Sequence, residues 1–74
     1  MRQIAKRVID ILGGPKVVAA AAGVDVTRVY RWTYPKDRGG TGGLVPVEHQ
    51  QTLLDFAYAN NIDLSPADFF DQPA

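Results

Sequence analysis

The sequence predicts an all-α domain of four to five short helices, and three observations lead there. Apolar residues recur at three- and four-residue spacing, with no convincing alternation of the kind a strand needs. Glycine or proline stands where most of these runs give way to the next. The chain has 74 residues and no cysteine. That sets one small domain over residues 1–74, with no disulfide framework and no thiolate zinc site.

The first helix is expected over 2–12. Ile4, Val8, Ile11 and Leu12 fall at helical spacing beside Ala5, and Gly13-Gly14 stops the run. Pro15 suits the first position of a second helix, because its missing N–H would have no partner there. That helix runs over 15–22 through four small alanines and ends at Gly23. Asp25 is a good N-cap for a third helix from 26 to about 33, and Tyr34-Pro35 ends it. A flexible, glycine-rich loop is expected over 35–45. Val45-Pro46 opens a fourth helix over 46–60, with Val47, Leu54 and Tyr58 on one stripe and Leu53 and Ala57 next to it. Ser65-Pro66-Ala67-Asp68 is a start signal for a short last helix over 66–71 that carries Phe69 and Phe70.

Charge is unevenly spread along a chain whose formal net charge is zero. All eight basic residues lie between Arg2 and Arg38, against Asp10, Asp25 and Asp37, a local balance of +5. From Gly39 onward there is no lysine or arginine, and Glu48, Asp55, Asp63, Asp68 and Asp71 give −5. Such a division suggests one surface for an anion and another kept away from it, although clustering in a short chain also arises by chance. No apolar run reaches bilayer length, so no membrane partner is expected. Arg2, Lys6 and Arg7 interrupt any secretory pattern, which makes the cytoplasm the expected compartment.

The stretch over 15–34 meets the demands of two helices crossing at a steep angle through a turn of about three residues. Ala19 offers the small side chain such a crossing needs. Gly23 tolerates the positive φ of the turn, and Val24 supplies an apolar anchor. Val29 and Trp32, three apart, face back toward the core, where Val18 and Ala22 meet them.

At this point the segment Val18-Ala19-Ala20-Ala21-Ala22-Gly23-Val24-Asp25-Val26-Thr27-Arg28-Val29-Tyr30-Arg31-Trp32 resembles the helix-turn-helix of the Cro and repressor families of phages. Over most of its length the chain is similar to short Cro-type regulators of prophages, antitoxin-type members included. The resemblance implies a lambda-repressor/Cro-like fold, and Lys36 and Arg38 in a region that approaches the DNA backbone. The glycine-rich stretch after the third helix is longer than those families usually carry.

With Val29 and Trp32 inward, a turn of about 100° per residue sends Thr27, Tyr30 and Arg31 outward, flanked by Val26 and Arg28. These five are the candidate base readers. Arg31 can donate two hydrogen bonds to guanine O6 and N7, and Thr27 or Val26 can touch a thymine methyl. Tyr30 can reach a phosphate or a base edge, and Arg28 can reach either. Lys16, Tyr34, Lys36 and Arg38 are the candidates for the DNA backbone, Lys16 standing at a helix start where free N–H groups favour an anion. The competing reading is an ordinary solvated helix face.

No catalytic constellation, metal site or cofactor motif emerges. The Gly39-Gly40-Thr41-Gly42-Gly43 run follows no strand and precedes no Gly-Lys-Ser/Thr, so it is not a phosphate loop. His49, among Glu48, Gln50 and Gln51, reads as a surface histidine. The acids Asp63, Asp68 and Asp71 read as caps and solvation. The expected partner is double-stranded DNA, bound by a homodimer at a palindromic operator. Leu64, Phe69 and Phe70 are candidates for the dimer surface, or else they close the monomer's own core. The alternative function is a protein-interaction module, antitoxin-like or adaptor, whose acidic half binds a basic partner.

Overall fold

The computed structural model describes residues 3–70, and these are all-helical with no strand. Four α-helices form: α1 (Ile4–Leu12), α2 (Pro15–Ala22), α3 (Val26–Arg31) and α4 (Val47–Ala59). Two 3₁₀ turns, Lys36–Arg38 and Pro66–Phe69, complete the elements. Arg2, at the predicted start of the first helix, and Asp71, at the predicted end of the last, lie outside the described residues. No helix is long and apolar enough to cross a membrane among the described residues.

Helix α1 buries Ile4, Ala5, Val8, Ile9 and Leu12. The expected Ile11 is exposed and Ile9 takes its place. At 100° per residue the buried five span one arc, and Ile11 falls just beyond its edge. Gly13 caps the helix, its N–H donating to the carbonyls of Ile9 and Asp10. Helix α2 packs on α1, α3 and α4, and so lies at the centre of the domain.

Helix α4 corrects the predicted phase. Leu53 and Ala57 are fully buried, whereas Val47 is 82% exposed and Tyr58 88%. Val47 and Tyr58 sit about 100° around the helix from the Leu53–Ala57 direction, so packing that pair turns the other two to solvent. Pro46 serves as the N-cap rather than the first helical residue.

The last element is a 3₁₀ turn, not an α-helix. The Asp68 carboxylate accepts from the Ser65 N–H at 2.8 Å and the Ser65 hydroxyl at 3.3 Å, as a capping acid should. Arg7 Nη2 donates to the Asp68 carbonyl at 3.0 Å and ties this turn to α1. Phe69 is buried in the monomer's own core, and Leu64 is half-buried against it. That removes Phe69 from any dimer surface and leaves Phe70, 59% exposed, as the outward phenylalanine.

The expected flexible loop is instead internally bonded. Gly40 N–H donates to Pro35 O at 3.0 Å, Thr41 N–H to Arg31 O at 3.1 Å and Gly42 N–H to Tyr34 O at 2.9 Å. Thr41 Oγ1 donates to Trp32 O at 2.9 Å and accepts from Leu44 N–H at 3.2 Å. Ala5 N–H donates to Gly43 O at 2.8 Å, joining the loop's far end to α1. These bonds supply partners for carbonyls at the end of α3 that the helix itself leaves open.

Gly40 makes this closure possible, because a Cβ there would collide with the carbonyl oxygens of Tyr34 and Arg31. Backbone atoms held on both sides cannot move aside cheaply. Gly40→Ala is therefore expected to destabilise the domain by about 1–3 kcal/mol, the usual range for overpacking. A urea unfolding midpoint equal to that of the parent would contradict the closure.

Candidate nucleic-acid interface

The interface candidate is built on α2, α3 and the three residues between them. Val18 and Ala19 are buried, and the small Ala19 side chain leaves room for a neighbouring helix. Gly23 takes the left-handed conformation, φ 72°, that ends α2. Val24 N–H donates back to Ala19 O at 3.0 Å, and the Val24 side chain packs against the core.

Asp25 then starts α3. Its backbone is extended and its Oδ1 accepts from Thr27 N–H at 2.8 Å. The same N–H, helped by a second hydrogen bond from the Thr27 side chain, holds the carboxyl below its ordinary range. The sign of the pH effect follows. A carboxyl that is more acidic in the folded state stabilises the fold above its ordinary titration range, and loses that contribution as pH falls through its folded value. Asp25→Asn keeps an N-capping oxygen but cannot titrate. Its melting temperature should therefore fall less than the parent's on acidification, and parallel acid-side curves would remove the cap from this account.

Within α3, Val29 is buried, and Trp32, the C-cap residue, is 4% exposed. Thr27, Arg28, Tyr30 and Arg31 are exposed, and Val26 is half-buried against the core with one edge open. Helix α3 ends at Arg31, two residues short of the predicted 33, where the N–H groups of Trp32, Thr33 and Tyr34 turn to the i−3 carbonyls of Val29, Tyr30 and Arg31 and Pro35 has no N–H to continue the ladder. Tyr34, Lys16, Lys36 and Arg38 are all exposed.

Of this exposed set, Tyr30, Arg28 and Arg31 line two shallow grooves. Tyr30 and Thr33 line one with Lys6, Ile9, Asp10 and Pro15. Arg28 and Arg31 line the other, of about 190 Å³, opposite Glu48 and His49 at the start of α4. Neither groove is lined by Lys16, Lys36 or Arg38. Neither Arg28 nor Arg31 has its guanidinium hydrogen-bonded or ion-paired among the described residues. Lys6 differs, since its ammonium pairs with Asp10 at 3.2 Å.

His49 is the residue that sequence reasoning misplaced. Its side chain is only 17% exposed, and its ring stacks on Trp32 with centroids 5.6 Å apart and planes at 28°. One signal pointed that way. His49 stands four residues before the buried Leu53, on the same side of α4. Among the described residues no three His, Cys, Asp or Glu side chains gather as a metal site would require.

No protein-family model matches the chain, and no curated protein or solved structure does either.

Proposed function

We propose that this chain binds double-stranded DNA as a helix-turn-helix regulator of transcription, of the phage and prophage type, with α3 in the major groove. The observation that carries this reading is the division of α3. It buries Val29 and Trp32 while leaving Thr27, Tyr30 and Arg31 outward, with the Arg31 guanidinium making no bond among the described residues. A solvated helix face needs no such set, whereas a groove reader needs hydroxyls and a guanidinium on a rigid element.

Arg31 donates to a guanine in this reading, Thr27 and Tyr30 approach neighbouring base edges, and the open edge of Val26 packs on a thymine methyl. Lys16 at the start of α2, with Tyr34, Lys36 and Arg38 after α3, contacts phosphates and sets the register. Of the acids after Gly39, only Glu48 lines the groove of Arg28 and Arg31 among the described residues.

A helix of six residues reads few bases, so two copies on a two-fold operator are part of the proposal. Val47 and Tyr58 stand on one stripe of α4, and Val47 and Phe70 line one apolar groove. An isologous interface pairs each end of such a stripe with the other end of its copy. Selection from random duplex DNA tests both parts. It should enrich a two-fold motif with half-sites about one helical turn, roughly 34 Å, apart. Affinity for that motif should fall steeply with added salt as counterions are released. No enrichment, or salt-insensitive binding, would set the proposal aside.

A further inference from the structure

The groove between α3 and the start of α4 has a chemistry of its own. Arg28 and Arg31 face it from α3, and Glu48 and His49 from α4. The loop contributes Gly39 and Thr41, neither of them charged. The two guanidiniums have no internal partner among the described residues. The His49 imidazole is held against Trp32, and neither ring nitrogen makes a hydrogen bond among the described residues. Its nearest acid, Glu48, is 3.9 Å from Nε2, too far for a hydrogen bond.

We infer that this groove is a phosphate site, in which Arg28 and His49 hold one oxyanion and His49 takes up a proton as it enters. The inference rests on the DNA reading for the source of that phosphate. A proton on His49 meets repulsion from Arg28, Arg31 and the positive end of α4, and attraction from Glu48 and the Trp32 ring face. A bound phosphate adds negative charge to that sum and favours the imidazolium, which then donates to it. Linkage makes the coupling reciprocal, so phosphate affinity rises as pH falls and His49 takes up its proton. Arg28 thus becomes a backbone contact, while Arg31, further around the helix, keeps its base-facing role.

His49 is the chain's single histidine, so its ring resonances report on this groove without ambiguity. The experiment follows their pH titration by NMR in the free protein, with a duplex of about twenty base pairs, and with inorganic phosphate. Duplex should move the titration to higher pH, and duplex affinity at fixed salt should rise about threefold to tenfold from about pH 8 to about pH 5.5. That rise should vanish in His49→Gln and shrink in Arg28→Gln, a surface change that spares the fold. A duplex that binds while the histidine titration stays in place overturns the phosphate site and leaves the DNA reading standing. A duplex that does not bind, with inorganic phosphate still moving the histidine, supports the anion site and overturns the DNA reading. A duplex that does not bind, with inorganic phosphate also leaving the histidine in place, ends both. Should His49→Gln not fold, the titration of the parent protein decides alone.

Discussion

Arg31→Ala is expected to weaken binding to the selected operator by about 1–3 kcal/mol and to relax the preference at one base pair. The backbone of Arg31 is fixed independently of its side chain, since its carbonyl accepts from the N–H groups of Tyr34 and Thr41, both at 3.1 Å. The exposed guanidinium holds nothing among the described residues. Alanine therefore removes the donor fork and leaves the scaffold, so the loss belongs to recognition rather than folding. Lysine at the same place keeps the charge but not the planar pair of donors, and should recover general affinity without recovering the base preference. Lys16→Ala makes the contrast, because an ammonium that meets only phosphate carries no sequence information, and its removal lowers affinity for all sequences alike. A selection on Arg31→Ala that returned the parent motif unchanged would mean that α3 does not present this residue to the bases.

The part of the candidate interface that is legible in sequence is the part held by local interactions. Gly23, Asp25 and the Val29/Trp32 spacing each act within a few residues, and the expected C-terminal end of α2, cap of α3 and inward pair of α3 are where the structure has them. The rest depends on long-range packing. Whether Val47 or Leu53 faces the core depends on how α4 is rotated against α2, and a stripe with apolar residues on several sides leaves both phases open. The burial of Phe69 and the exposure of Phe70 follow from how the Pro66–Phe69 turn docks on α1, partly through Arg7 far away in sequence. The loop looked free because glycine is permissive, yet at Gly40 the lack of a side chain is what allows backbone to close on backbone. His49 looked solvated because its sequence neighbours are polar, whereas the partner that covers it comes from another helix.

Trp32→Ala should have the largest effect on stability. The indole lies in the main apolar cluster and forms the surface on which His49 stacks, while the Trp32 carbonyl accepts from Thr41 in the loop. Truncating a buried aromatic to alanine costs about 3–5 kcal/mol through lost transfer energy and the cavity left behind. A domain of this length has a total stability of roughly 4–11 kcal/mol at the usual 0.05–0.15 kcal/mol per residue. The substitution therefore removes a large share of the whole, and a parent at the low end of that range would be substantially unfolded at 25 °C. Trp32→Phe keeps most of the apolar volume and should cost clearly less. Urea unfolding followed by circular dichroism measures both variants, since fluorescence is lost with the chain's single tryptophan. If Trp32→Ala lay within about 1 kcal/mol of the parent, the indole could not be the internal anchor of α3. The outward direction of Thr27, Tyr30 and Arg31, set by that same anchor, would then lose its basis.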